Sequence, residues 1–342
     1  MEALWFWLVA IMITGYVVLD GFDLGAGIVH YLVARNDDER KEVLASIGPF
    51  WDGNEVWLLA AGGTLYFAFP VLYASSFMGF YLPLMIVLWL LMIRGLSIEL
   101  RSHVENPMWR PLFDTAFAGS SALLAIFFGA ALGNVVRGVP LDADKEFFLP
   151  LWTDFMPGRE PGILDLYTIL AGLTAFSALM QHGALWLNYK STGDLQQRAR
   201  AVASGAWKST LILTAGLTSF SFMLRPELLQ RFLQYPVGLA FPALAVSGLV
   251  LAVIWRRKGE ELKPFLASCM YLAGMLTSVA FSLFPVVLPS SKNPHEDLTI
   301  FNTAAGAYGH QVGLMWWIPG MLLASGYFFF LYRRFRGKTA AA

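Results

Sequence analysis

Apolar residues fall into nine long runs separated by short polar breaks, at about 4–34, 50–70, 73–101, 113–137, 162–189, 202–224, 236–256, 263–288 and 306–333. A bilayer-spanning helix needs about 20 predominantly apolar residues. The pattern therefore predicts an all-α integral membrane protein with nine transmembrane helices, forming a single polytopic domain over residues 1–342. The first run is interrupted: an apolar stretch reaches residue 19, Asp20 to Gly25 are polar or small, and Ile28 to Ala34 are apolar again. One long helix with its polar residues turned inward accommodates all three parts. The start, Met1-Glu2-Ala3, lacks the basic region of a secretory signal, and no A-x-A cleavage site follows, so this run is expected to be retained as a membrane helix.

Nine spans put the two termini on opposite sides. Connections after odd spans, with the C-terminal tail, carry sixteen Lys and Arg, among them Arg35, Arg40, Lys41, Arg256, Arg257, Lys258, Arg333 and Arg334. Connections after even spans carry six: Arg137, Lys145, Arg159, Arg225, Arg231 and Lys292. The positive-inside rule then places the N-terminus outside and the C-terminus in the cytoplasm. The longest connection, about 138–161, faces outward and is acidic (Asp142, Asp144, Glu146, Asp154, Glu160). It is too short for a soluble catalytic domain, so any chemistry belongs to the bundle or to a partner.

Composition agrees. Charged residues are 14% of the 342, against roughly 25% in an ordinary soluble domain. The hydrophobic share is 57% and the mean hydropathy +0.56. These values exclude a soluble enzyme and a disordered chain. Lys+Arg and Asp+Glu balance at 24 each, leaving no basic excess for nucleic acid. Cys269 is the only cysteine, so the chain can form no internal disulfide and has no covalent haem motif.

Ionisable groups inside spans are costly and mark cavities, partner helices or ion paths. Here they gather in the first three spans. Asp20 and Asp23, three residues apart, share a helix face, as do Asp52 and Glu55. Span three carries Arg94, Glu99 and Arg101 toward its inner end. An acidic line Asp52, Glu55, Glu99 and Asp20, running from the inner surface toward the membrane centre, is what a proton-uptake route needs. A structural reading stands beside it. Asp52 and Glu55 open a helix, where a carboxylate caps free N–H groups and complements the dipole. Glu99 with Arg94 or Arg101 is a plausible supporting ion pair. Asp20 fits the structural reading least well, being neither at a helix start nor in a loop.

His182 is the one histidine deep in a span, and beside Met180 and Gln181 it reads as a hydrogen-bonded core residue rather than an axial haem ligand. No carboxylates and histidines show metal-ligand spacing. Gly21-x-x-x-Gly25 reads as a close helix contact. A bundle with midplane acids also fits an ion-coupled secondary transporter, but such proteins show two repeats with broken helices, and no repeat is visible.

The elements Gly21-Phe22-Asp23-Leu24-Gly25 and Trp51-Asp52-Gly53-Asn54-Glu55-Val56-Trp57-Leu58 resemble subunit II of cytochrome bd-type quinol oxidases, including the cyanide-insensitive branch. Further matches follow in order along nearly the whole chain: Arg35-Asn36-Asp37-Asp38-Glu39-Arg40, Ala61-Gly62-Gly63, Tyr73-Ala74-Ser75-Ser76-Phe77, Arg94 with Glu99-Leu100-Arg101, Gly133-Asn134, and Phe284-Pro285-Val286-Val287-Leu288-Pro289-Ser290-Ser291. Two positions depart from the family. Many relatives have F-D-Y-R where this chain has Ile98-Glu99-Leu100-Arg101, and Glu55 stands where some have Gln.

The resemblance implies a complex in the bacterial or archaeal cytoplasmic membrane that oxidises quinol at the outer face and reduces oxygen to water. Its two b-type haems and one d-type haem are held by subunit I, a partner of similar fold, often with a very small single-span subunit. Some relatives also hold a structural quinone in subunit II. The resemblance implies that Asp20 and Asp52 lead protons from the cytoplasm toward the partner's oxygen chemistry; Glu55 and Glu99, where this chain departs from the family, are expected to join that route. A motive force then arises without pumping. Asp23 and Asn54 complete the polar motif, and a purely structural scaffold for subunit I is the remaining alternative.

Overall fold

The structure is a computed structural model that describes residues 1–103, 107–158 and 161–339. Arg159 and Glu160, counted above in the outward loop, lie outside the described residues. Helices dominate: α1 (Glu2–Val33), α2 (Asp37–Ile47), α3 (Trp51–Ala68), α4 (Pro70–Gly79), α5 (Tyr81–His103), α6 (Arg110–Arg137), α7 (Leu166–Lys190), α8 (Gly193–Leu224), α9 (Pro226–Gln234), α10 (Ala240–Arg257), α11 (Leu262–Leu283) and α12 (Ala307–Arg334). A two-stranded antiparallel hairpin, β1 (Val286–Leu288) and β2 (Leu298–Thr299), lies between α11 and α12.

Seven of these helices are individually long and apolar enough to cross a bilayer, and an eighth span results if the bent pair α3 and α4 counts as one. The expected span 202–224 falls inside α8, which is 32 residues long but is not among the seven. Asp194, Arg198, Arg200 and Lys208 occupy its first half, and hydroxyls from Ser209 to Ser221 dilute its second. Span three also needs correction. Residues 73–79 belong to α4, which turns away from α3 by 120°, and α5 starts anew at Tyr81. The cause is Pro70: it has no N–H to continue α3 and is pre-organised for the first turn of a new helix. The Ala68 carbonyl beside this break is captured instead by the Ala305 N–H and by His310 Nε2, each at 3.0 Å. Span eight ends at Leu283 rather than 288, because the chain passes into the β-hairpin.

Caps sharpen the short elements. Asn36 accepts from the Glu39 N–H at 2.9 Å, and Asp37, Asp38 and Glu39 fill the first turn of α2, where negative charge complements the helix dipole. Asp165 and Thr168 close a reciprocal capping box at the start of α7.

The helices leave two poles. At one, the C-terminal ends of α1, α5, α7 and α12 meet α2 and the starts of α6, α8 and α11. Arg198 reaches Glu39, Lys338 reaches Glu261, and Lys190 donates to the carbonyls of Phe335 and Gly337. At the other, the 138–165 segment packs Leu141, Phe147, Leu149 and Ile163 under Trp5, Phe69, Leu288 and Ile300. The basic residues expected after odd spans all belong to the first pole.

Helices α1 and α7 approach backbone to backbone. A Cβ at Gly25 or Gly183 would run into the opposing backbone. The Gly21-x-x-x-Gly25 spacing is thus a packing feature, as expected.

Candidate functional site

The long first helix brings Asp20 and Asp23 deep into the bundle, and both are fully buried. Arg94 of α5, also fully buried, holds Asp20 bidentately: one guanidinium nitrogen lies 2.6 Å from Oδ1 and the other 3.0 Å from Oδ2. Glu55 of α3 approaches the same guanidinium at 3.4 Å and keeps 24% of its side chain exposed. Beside this group the Asn54 amide donates to Asp23 Oδ2 at 2.7 Å and to the Leu19 carbonyl at 3.1 Å. The Tyr332 hydroxyl of α12 donates to Asn54 Oδ1 at 3.2 Å. Helices α1, α3, α5 and α12 are therefore joined by one polar cluster built from the family-motif residues.

Three sequence-based expectations change here. Asp20 is not an unneutralised acid, because Arg94 compensates its charge. Glu99 pairs with neither arginine. It is 61% exposed, 4.0 Å from His103 one turn on, while Arg101 binds Asp114 and Asp37. Asp52 is not sunk among helices: it is exposed on α3, on the face continued by Val56 and by Leu59, which is 74% exposed. The capping reading of Asp52 also needs adjustment. Phe50 is the N-cap of α3 with no side-chain bond, and Asp52 sits in the first turn, where only the dipole favours it. The acidic line is consequently graded, from exposed Asp52 through half-buried Glu55 to sealed Asp20, with Glu99 apart at the basic pole.

A second cluster was missed. Asp114 of α6 is fully buried and receives His30 Nε2 at 2.9 Å and Arg101 Nε at 2.5 Å, with Arg40 at 3.6 Å. Asp37 adds Arg101 at 2.8 Å and Arg110 at 3.0 Å. This network locks α1, α2, α5 and α6 at the basic pole. Partial burial pushes the Asp37 carboxyl up, yet Lys41 and Arg101 hold it below the usual carboxylate range. The available signal was the lone acid at the head of span four, where a first-turn carboxylate looks unremarkable. At the opposite pole Arg137 pairs with Asp165, both buried, and donates to Asn134 at 2.6 Å.

Both ring nitrogens of buried His182 are engaged, Nδ1 by Ser268 Oγ at 2.7 Å and Nε2 by the Val18 carbonyl at 3.0 Å. The ring also stacks on Phe265, with centroids 4.8 Å apart. Neither nitrogen is free to ligate a haem iron, so the residue does not fit that role. Among the described residues no group of three or more His, Cys, Asp or Glu could hold a metal ion.

Residues 1–335 match the family described as cytochrome bd terminal oxidase subunit II. A probable cytochrome oxidase subunit 2 of Haemophilus influenzae is 30% identical, covering 99% of this chain and 95% of that one. Cytochrome bd-I ubiquinol oxidase subunit 2 of Escherichia coli strain K12 is 30% identical, over 94% and 89% of the two chains. Cytochrome bd ubiquinol oxidase subunit 2 of Bacillus subtilis is 33% identical, over 90% and 88%. Among solved structures, the bd oxidase of Geobacillus thermodenitrificans shares the fold, with a TM-score of 0.72 over 98% of both chains at 17% identity.

Proposed function

The chain belongs to the subunit II family of cytochrome bd terminal oxidases, and from that premise we propose how its own residues serve the oxidase. As subunit II it acts in a complex with a haem-bearing subunit I, and the complex oxidises quinol and reduces oxygen. The haems supply the electron transfer and oxygen chemistry, and they belong to the partner. This chain's contribution is protonic and structural.

In this reading the nine long helices, α8 and the bent α3 included, cross the bacterial inner membrane with the basic pole in the cytoplasm. Support comes from the basic residues, which concentrate at one pole as the positive-inside rule requires. Glu99 and Asp52 then lie on the cytoplasmic side. Protons enter past Glu99 and Asp52, Glu55 lies next inward, and the Asp20–Arg94 pair closes the inner end. The exposed face of α3 around Asp52 and Leu59, and exposed aromatics of α12 such as Trp316 and Phe330, are covered by subunit I. The partner carries two b-type haems and one d-type haem, and the small single-span subunit and a structural quinone remain part of this proposal. Protons taken from inside and released from quinol outside separate charge without pumping, worth roughly 2.3 kcal/mol per charge for each 100 mV.

The observation that carries the proposal is the graded exposure of Asp52, Glu55 and Asp20, ending at a buried pair. A tightly paired Asp20 favours a structural role for that residue specifically, so Asp52 is the decisive position. Asp52→Asn in the assembled oxidase is expected to slow oxygen consumption and proton uptake while the haem spectrum stays intact. Unchanged turnover overturns the route through Asp52.

A further inference from the structure

Two polar atoms around the Asp20–Arg94 pair have no hydrogen-bond partner although each is sealed from solvent: Asp23 Oδ1 and Arg94 Nε. Tyr16, Asp20 and Asp23 succeed one another at i, i+4 and i+7 on α1, so they share one face. Tyr16 and Asp23 each lie within electrostatic reach of Asp20, Glu55 and Arg94. Buried polar atoms are nearly always satisfied by protein or by ordered water. Unpartnered atoms gathered about one ion pair mark a place where water completes the bonding.

The charge count singles out Asp23. Three carboxylates, Asp20, Asp23 and Glu55, face one guanidinium. Arg94's bidentate grip commits its charge to Asp20, and Glu55 keeps contact with solvent. Asp23 is fully buried with a single donor, the Asn54 amide on Oδ2, and its other oxygen is bare. A carboxylate anion so placed is strongly disfavoured, because burial strips its hydration and no charge of its own repays it. A proton on Oδ1 removes that cost and turns the bare oxygen into a donor toward chamber water. Among the described residues, Arg94 is the cation that acts on it. Its surroundings include Tyr16 and Asp20 on α1, Asn54 and Glu55 on α3, Arg94 on α5, and Tyr332 on α12 with Cys269 of α11 beside it.

A supply route adjoins. A groove of about 730 Å³ runs between α1 and α12, lined by Leu19, Phe328, Phe329, Tyr332, Arg333 and Arg336. Its two arginines lie at the basic pole. Its lining includes Tyr332 and Leu19, the residues that bond Asn54, which in turn bonds Asp23.

We propose that Asp23 is a proton-holding residue in a water-containing chamber, recharged from the basic pole along the α1–α12 groove. The proposal rests on the proton-delivery reading and adds to it a stored proton and a second inlet. In the discharge step the Oδ1–H bond breaks, its electron pair stays on the carboxylate and the proton passes to a chamber water. A proton from groove water then restores the acid.

The test is infrared difference spectroscopy on the intact oxidase during reduction and reoxidation. The native complex is expected to show a carbonyl band of a protonated carboxylic acid that disappears in Asp23→Asn and returns, displaced, in Asp23→Glu. Turnover should fall several-fold in the Asn variant and recover partly in the Glu variant. Survival of every such band in Asp23→Asn, or native turnover in that variant, overturns the proposal. If Asp23→Asn does not assemble, Asn54→Ala serves: loss of the Asn54 donor to Asp23 must displace the band, and an undisplaced band overturns the proposal. A slow Asp52→Asn enzyme beside a fully active Asp23→Asn enzyme refutes the Asp23 store alone. A fully active Asp52→Asn enzyme with the Asp23 band intact refutes the Asp52 route alone.

Discussion

Arg94 and Asp20 are 74 residues apart in sequence, yet they form a fork-to-fork ion pair with neither side chain touching solvent. Such a pair contributes little net stability over an apolar filling, but breaking it leaves a naked buried charge. It ties α5 to α1 and holds the guanidinium within 3.4 Å of Glu55 on α3.

Arg94→Leu is therefore expected to destabilise the subunit by about 3–5 kcal/mol. Thermal unfolding of the purified complex, followed by loss of the haem spectrum, checks this. The double variant Arg94→Leu with Asp20→Leu should recover most of the loss, because neither charge is then left alone.

The Asp114 network predicts a defect of similar size at the basic pole. Asp114→Ala strips Arg101 and His30 of their shared acceptor and should cost about 3–5 kcal/mol. Hydrogen exchange should rise in α2 and in the facing ends of α5 and α6, and not at the opposite pole.

Gly25→Val should prevent α1 and α7 from meeting, since the added carbons would overlap the Gly183 backbone. Overpacking typically costs about 1–3 kcal/mol, and here the obstacle is main chain that cannot rotate away. The expected outcome is failure to accumulate an assembled complex, read by subunit content in the membrane fraction. Gly63→Ala, where a Cβ meets nothing within 4 Å in this chain, should leave the fold of the chain itself undisturbed.

The docking of α2 should depend on pH. Partial burial pushes the Glu39 carboxyl up, but the Arg35 N–H at 2.6 Å and Arg198 at 2.5 Å outweigh it and hold it below its ordinary value of 4.5. A depressed carboxylate stabilises the folded state above its unfolded value, and this is lost as pH falls through the lower folded value. Exchange protection of α2 should thus hold from neutral pH down to about pH 4.5 and weaken below it. Glu39→Gln should reduce that dependence, leaving the share carried by Asp37, and lower protection at neutral pH.

The importance of Asp20 was legible from hydropathy alone, because an acid amid apolar residues carries a cost that some partner must meet. The partner itself was not legible. Arg94 lies on another span, and which arginine an acid faces depends on how two helices are rotated. Glu99, closer in sequence to both Arg94 and Arg101, was the more obvious candidate and is exposed instead. Asp52 shows the same limit: its periodicity with Glu55 was right, but which way their common face looks is set by α3's contacts with α1.

The order of long apolar runs, the concentration of basic residues at alternate breaks and the W-D-G-N and G-F-D-L-G elements were decided by sequence alone, because span length and side-chain hydration are local properties. Tertiary structure decided which charges cancel, where Pro70 turns α3 aside, that Asp114 rather than Glu99 receives Arg101, and that Asp23 keeps a bare oxygen inside. Those outcomes depend on the mutual rotation and depth of helices far apart in the chain, set where Gly25 and Gly183 let two backbones touch.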